Sequence, residues 1–422
     1  MLAQRGLLHF SGRMTLDLEF VRAQFPAFEV PQLQGQAFFE NAGGSYTCRQ
    51  VIDRLTRFYT ERKVQPYAPY DASRLGGEEM DEAQERMAAI LGVSPDELSF
   101  GPSTTQNTYV LAQAFAELLQ AGEAIIVTNQ DHEANTGPWR RLAARGIEIR
   151  EWKIDPQTGH LNPEDLEELL DDTVRLVCFP HCSNVIGEVN PVTEITALAH
   201  AAGAFTCVDG VSYAPHGFAD VGALGPDIYL FSAYKTYGPH QGLMVIRRAL
   251  AELLPNQGHY FNASALPKRF TPAGPDHAQV AACAGMADYV DTIYEHHVGS
   301  GTSASAAERG RVVHDLMRAH ETALLSPLLD ALRGRNDIRI LGPSEPINRA
   351  PTVALSIGQS GEETAAALAE HGVMAGGGDF YAVRALSAMG VPEEEGVLRL
   401  SFTHYTSPSE IDQLISALDA VL

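Results

Sequence analysis

Lys235 stands in the run Phe231-Ser232-Ala233-Tyr234-Lys235-Thr236-Tyr237-Gly238-Pro239, directly after the strand-like stretch Asp227 to Phe231. A lone lysine behind a buried strand, beside hydroxyl residues and a Gly-Pro turn, is badly placed for a surface charge and well placed for a Schiff base. Four other segments offer complementary chemistry. Gly101-Pro102-Ser103-Thr104-Thr105-Gln106-Asn107 puts hydroxyls and backbone N–H groups at a helix start, a ready anion site. Asp131-His132-Glu133-Ala134-Asn135 supplies an imidazole, and His181-Cys182-Ser183-Asn184-Val185-Ile186-Gly187 supplies the Asn184 amide. Asp209-Gly210 closes an apolar strand 26 residues before Lys235. Pyridoxal phosphate (PLP) asks for this combination: a lysine for its aldehyde, a carboxylate for its pyridine nitrogen, a side chain against its ring, and donors for its phosphate.

Each segment alone has a plainer reading. Thr104 and Thr105 could simply cap a helix, His132 could cap the next one, and Asn184 and Asp209 could be turn residues. A metal site at His132 fails on spacing, HxxxN rather than HExxH, and no lysine follows the 101–107 turn as in a nucleotide-binding loop. The functional reading gains its weight from the five occurring together after separate strands.

The elements that must position these loops alternate along the chain. Helices are expected over Glu79–Leu91, Gln106–Leu119, Thr136–Arg145, Pro163–Leu170 and Val192–Ala202. Strands are expected over Glu97–Phe100, Ala124–Thr128, Ile147–Trp152, Val174–Phe179, Ala204–Val208 and Asp227–Phe231, with Leu243–Arg247 as a further, antiparallel one. This rhythm predicts an α/β fold with a mainly parallel sheet covered on both faces and ligands beyond the carboxyl ends of its strands. A long helix is expected over Ser305–Gly334. The tail then reads as a smaller mixed unit: strands Ile338–Leu341, Thr352–Ile357 and Val397–Ser401, helices Glu362–Glu370 and Pro408–Val421.

The chain of 422 residues exceeds one ordinary core. Its Lys+Arg count of 30 against 53 Asp+Glu gives a net charge of -23, which opposes nucleic acid and anionic membrane as partners, so any anion must be held by local donors. Five cysteines without CxxC spacing suggest a reduced compartment, here the cytoplasm, with Cys178 and Cys207 in the core. No apolar run approaches a membrane span, and Leu7 to Phe10 is too short for a signal-peptide core. Residues 1–13 read as an extension or a misplaced start.

The segments Val208-Asp209-Gly210, Ser232 to Pro239, Asp131 to Asn135 and Ser183 to Gly187 together resemble the class V aminotransferase superfamily of PLP-dependent enzymes, most closely its cysteine desulfurase and selenocysteine lyase branch. The resemblance runs from about Phe38 to the C-terminus. It implies the PLP-dependent transferase fold type I: a mainly parallel sheet of seven strands with a smaller α+β C-terminal domain, assembled as a homodimer. The implied domains are an N-terminal arm (1–36) packing on the small domain, a large PLP-binding domain (37–290) and a small domain (291–422). By resemblance Lys235 carries the cofactor aldimine and moves protons, Asp209 pairs with the pyridine nitrogen, and His132 stacks on the ring. Thr104, Thr105 and Ser232 hold the phosphate, while Asn184 and Ser212 lie near the ring oxygen. Asn41, Ala42, Gly43 and Arg399 line the substrate side, Arg399 clamping the substrate carboxylate.

The pattern also breaks. The loop that carries a nucleophilic cysteine in desulfurases reads here Val373-Met374-Ala375-Gly376-Gly377-Gly378-Asp379-Phe380-Tyr381-Ala382, without one. Ser212 replaces a glutamine, Tyr234 a histidine, and Gly274 a hydroxyl residue that meets the neighbouring subunit's phosphate. Tyr234, Asp379, Tyr381 and His404 become candidate substrate contacts. The reading implied is an enzyme acting at the α-carbon of an amino acid, desulfurase- or lyase-like, with transamination, epimerisation and a catalytically idle PLP-binding protein as alternatives.

Overall fold

The protein is described here by a computed structural model covering residues 14–422; the proposed extension, residues 1–13, lies outside the described residues. Seven strands form the central sheet: β1 (Leu98–Gly101), β2 (Ala124–Thr128), β3 (Glu148–Trp152), β4 (Val174–Pro180), β5 (Phe205–Asp209), β6 (Ile228–Ser232) and β7 (Gly242–Ile246). Their order is β1-β7-β6-β5-β4-β2-β3. The pairs from β3 through β6 are parallel, whereas β7 runs antiparallel to both β6 and β1, as expected from the short connection after the lysine loop.

Covering both faces explains why β2 and β6 read as unbroken apolar runs. Alternate residues point to opposite sides: Trp152, Phe179, Val208 and Phe231 enter one core, and Ile125, Val127, Leu176, Cys178, Cys207 and Leu230 enter the other. The parallel strands therefore deliver Asn129–His132, His181–Asn184, Gly210–Ser212 and Ala233–Lys235 to one edge.

The C-terminal part carries a four-stranded antiparallel sheet. Its strands are β8 (Arg339–Leu341), β9 (Thr352–Ser356), β10 (Gly376–Gly378) and β11 (Val397–Ser401), in the order β10-β11-β9-β8. Strand Ala37–Phe38 pairs in parallel with Val373–Met374, so the chain just past the arm is tied into this C-terminal part. The arm touches both parts: Arg22 pairs with Glu410 at 2.8 Å, and Phe25 packs edge-on against Tyr237 and Tyr405.

Some boundaries differ from expectation. The helix expected over Thr136–Arg145 starts at Glu133 and ends at Arg140, followed by a 3-10 turn over Arg141–Arg145, because the His132 ring caps it from Ala134 N–H. The helix expected from Glu79 starts at Asp71, and helices Arg49–Glu61 and Ala284–Val298 were not anticipated. Among the described residues, no helix is long and apolar enough to cross a membrane.

Candidate active site

Lys235 closes a short 3-10 turn (Ala233–Lys235) behind β6, and the turn is pinned by Thr236 Oγ1 donating to Ala233 O at 3.0 Å. Lys235 is only 9% exposed, and its amine has no hydrogen-bond or ion-pair partner among the described residues. Burial, followed by repulsion from Arg399, lowers its pKa to about 8, with Asp209 and Glu40 opposing. A buried amine that is neutral part of the time near physiological pH is nucleophilic.

Asp209 ends β5, and its Oδ1 accepts from Val211 N–H at 2.8 Å. Asp131 lines the same pocket, 2% exposed; its Oδ2 accepts from Asn135 Nδ2 at 2.6 Å, and its Oδ1 is buried without a partner among the described residues. Burial raises both carboxyl pKa values; repulsion from Asp209 raises Asp131 further, whereas Val211 N–H and Lys235 pull Asp209 back down. Of the two, Asp209 is the carboxyl that the Val211 N–H and Lys235 pull back toward its charged form.

His132 both caps a helix and lines the pocket. Its Nδ1 accepts from Ala134 N–H at 3.0 Å, and burial with repulsion from Lys235 lowers its pKa to about 4, so the ring is neutral. At the start of helix Thr104–Leu118, Thr104 Oγ1 lies 2.8 Å from Ser232 Oγ, while Ser103 accepts from Gln106 N–H. Gly242 beside this turn has no room for a side chain, since an added Cβ would come within 2.7 Å of Thr104 N. Thr104, Thr105, His132, Asn184, Asp209, Ser212, Ser232 and Lys235 all line one deep pocket.

That pocket opens through Thr105, His132, Asn184, Tyr234 and Lys235 into a cleft of about 580 Å³, also lined by Ala42, Gly43, Arg399, Phe380 and Tyr381. Arg399 is 3% exposed, donates from Nη1 to Asn184 O at 3.2 Å and from Nη2 to Glu40 Oε1 at 2.7 Å, and lies 3.7 Å from the centre of the Phe380 ring. Asn41 stands behind this wall, its Oδ1 accepting from Tyr405 O–H. The cysteine-free loop is a strap across the cleft. Phe380 O accepts from Asn184 Nδ2 and Tyr381 O from Glu133 N–H, both at 2.9 Å, and the Tyr381 ring lies 5.3 Å from that of His132. Both strap residues are left-handed, at φ 52 and 58, a conformation that costs on the order of 1 kcal/mol or more per residue and persists only where the surroundings enforce it.

Two expected contacts fall elsewhere. His404 is fully buried, bonded to Tyr289 at 2.6 Å, and outside the cleft, because Phe25, Tyr237 and Tyr289 enclose it. Asp379 turns its carboxylate back to Tyr381 N–H at 2.7 Å. Glu40, Asp131 and Phe380 were missed; a carboxylate ending the apolar run Ala37-Phe38-Phe39 was the available signal for the first. All five cysteines are buried, and burial pushes the thiols of Cys48 and Cys182 up to about 12 and raises those of Cys178 and Cys283. Those four thiols are held away from the thiolate form that nucleophilic chemistry needs.

The open α/β sheet thus gathers a buried amine, two buried carboxyls and a hydroxyl-rich helix start at one edge. A family model described as Aminotransferase class-V matches residues 37–414, and the chain belongs to that family of PLP-dependent enzymes acting on amino acids. An aminotransferase-like protein of Gibberella zeae is 34% identical over 421 residues, covering 97% of this chain and 99% of the relative. A cysteine desulfurase of Serratia proteamaculans is 30% identical over 428 residues, with 97% and 99% covered. Among solved structures, a cysteine desulfurase from Thermococcus onnurineus superposes with a TM-score of 0.83 at 21% identity, covering 97% and 99% of the two chains. One from Escherichia coli gives 0.80 at 23%, covering 96% and 98%. The fold is the PLP-dependent transferase fold type I.

Proposed function

We propose that this chain binds PLP at Lys235 and acts at the α-carbon of an amino acid, the leaving group departing without passing onto a protein cysteine. The observation that carries the reading is the buried Lys235 amine, without a hydrogen-bond or ion-pair partner among the described residues, lining one pocket with Asp209 and the hydrogen-bonded Thr104–Ser232 hydroxyl pair. When bound, PLP supplies an electron sink for charge developing at the α-carbon. Asp209 would keep a positive partner charged, neutral His132 would cover the ring, and Thr104, Thr105 and Ser232 would hold the phosphate. Asn184 and Ser212 would serve the ring oxygen. Arg399 receives the substrate carboxylate against the wall formed by Ala42 and Gly43, with Asn41 bracing it, and Lys235 takes and returns the α-proton.

Elimination at a sulfur or selenium amino acid ranks first, and transamination second. The buried cysteines support release of a free product over a persulfide. We assign 37–290 to a large domain, 291–422 to a small one and 1–36 to an arm, in a cytoplasmic homodimer. Exposed Tyr67 at a cavity of about 570 Å³, with Tyr70, Tyr260 and Phe261 also exposed, supports the self-association.

Absorbance tests the site: addition of PLP gives a visible band that Lys235→Ala loses, and no band with the wild type refutes the proposal. Incubation with L-cysteine or L-selenocysteine then yields sulfide or selenide with pyruvate and ammonium for a β-eliminating lyase. Conversion of the cofactor to its pyridoxamine form marks a transaminase.

A further inference from the structure

We propose that Glu40 is a built-in counter-ligand for Arg399, holding the guanidinium in place and weakening its grip on an incoming carboxylate, so that Glu40 sets the affinity of the carboxylate subsite. The inference rests on reading Arg399 as that subsite. Glu40 follows the strand Ala37–Phe38, is bridged to Ser401 at the end of β11, and turns its side chain onto Arg399.

The surroundings are shaped for this carboxylate. An added Cβ at Gly43 would come within 2.7 Å of Glu40 Oε1, and one at Gly376 within 2.7 Å of Oε2. Gly376 also pairs directly with Arg399 across β10 and β11. The glycines at 43 and 376 thus leave room for the Glu40 head group between them.

The pairing leaves polar atoms of both partners free. Glu40 Oε2 and Arg399 Nε are both buried without a hydrogen-bond partner among the described residues. The pair also forms part of the cleft wall beside Lys235 rather than lying in a core. Phe380 covers one face of the guanidinium and Asn184 O takes Nη1, so the donors left to a substrate carboxylate adjoin those Glu40 already engages. A bound substrate carboxylate thus shares one guanidinium with a second negative charge a few ångströms away. Burial lowers the Arg399 pKa and Glu40 opposes that shift, in keeping with a residue that maintains the cation between substrates.

The test uses the PLP-loaded enzyme and calorimetric titration with 2-methylalanine, which has no α-hydrogen and so reports binding without proton transfer, beside its amide, which lacks the carboxylate charge. The wild type favours the acid. Glu40→Gln, which keeps the shape and an acceptor for Arg399, raises that preference on the order of tenfold by removing one nearby like charge, and leaves amide binding unchanged. Unchanged amide binding also shows that the variant site is folded. Glu40→Asp, which keeps the charge, retains the wild-type preference. If Glu40→Gln leaves the preference unchanged while Arg399→Gln abolishes it, the counter-ligand role is overturned and the carboxylate reading stands. If Asp behaves as Gln does, charge is not the cause and the proposal also falls. If the wild type and Arg399→Gln both bind acid and amide alike, the reading of Arg399 fails and the inference with it.

Discussion

Replacing Lys235 with methionine is expected to stabilise the cofactor-free protein. The lysine is 9% exposed, and its pKa falls from an ordinary 10.5 to about 8, chiefly through burial. The unfolded chain thus binds the proton more tightly than the folded one, and stability rises with pH between about 8 and 10.5. Below pH 8 both states are protonated and the whole penalty stands, about 3 kcal/mol from the width of that interval. Above 10.5 it vanishes. Methionine fills a similar volume with no charge to desolvate. Urea unfolding of the cofactor-free wild type and Lys235→Met at pH 7 is expected to show the variant more stable by about 2 to 3 kcal/mol, the gap shrinking below about 1 kcal/mol at pH 10. A variant no more stable at pH 7, or a gap that does not change with pH, refutes the argument that burial of the amine is what tunes it.

Asp209→Asn is expected to weaken PLP binding at neutral pH by about tenfold or more. Because burial raises the Asp209 pKa, wild-type affinity falls as pH is lowered toward that raised value and the gap to the variant closes, which parallel spectroscopic titrations would show; a constant gap between pH 7 and 5 counts against it. Tyr381→Gly relieves a left-handed residue that is 70% exposed and is expected to leave stability unchanged or raise it by up to about 1 kcal/mol, read as Tm. A clear loss would show that the Tyr381 ring contributes more than its backbone costs. Native protein is expected to resist thiol labelling until it unfolds, since all five cysteines are buried. Rapid labelling of one thiol in the folded state would reopen a persulfide route.

Much of this architecture was legible because its signals are local. Ala124–Thr128 and Val397–Ser401 are strands at the expected residues, since short apolar runs bounded by turn residues follow from neighbours along the chain. The residues of the deep pocket were legible for the same reason, each standing just after such a strand. Glu40 was not, because its partner Arg399 lies 359 positions away and nothing near it in sequence marks the meeting. Tyr381 was a candidate from the sequence, but the strap it forms with Phe380 was opaque for a different reason: aromatic residues rarely adopt positive φ, and the anchors from Asn184 and Glu133 are what hold the strap. His404 misled because a histidine near the chain end looks available until Phe25, Tyr237 and Tyr289 are folded around it.

The strap across the cleft is held by two adjacent anchors, Phe380 O accepting from Asn184 Nδ2 and Tyr381 O from Glu133 N–H. Both are the chain's own contacts, so ordering the strap draws little on substrate-binding energy and closure adds little discrimination between substrates. Discrimination then rests on the static shape and charge of the walls, and the hazard lies in admission. A ligand must pass the Tyr381 side of the strap or break its two anchors, which makes slow entry with little structural change on binding the expected kinetic signature of this site.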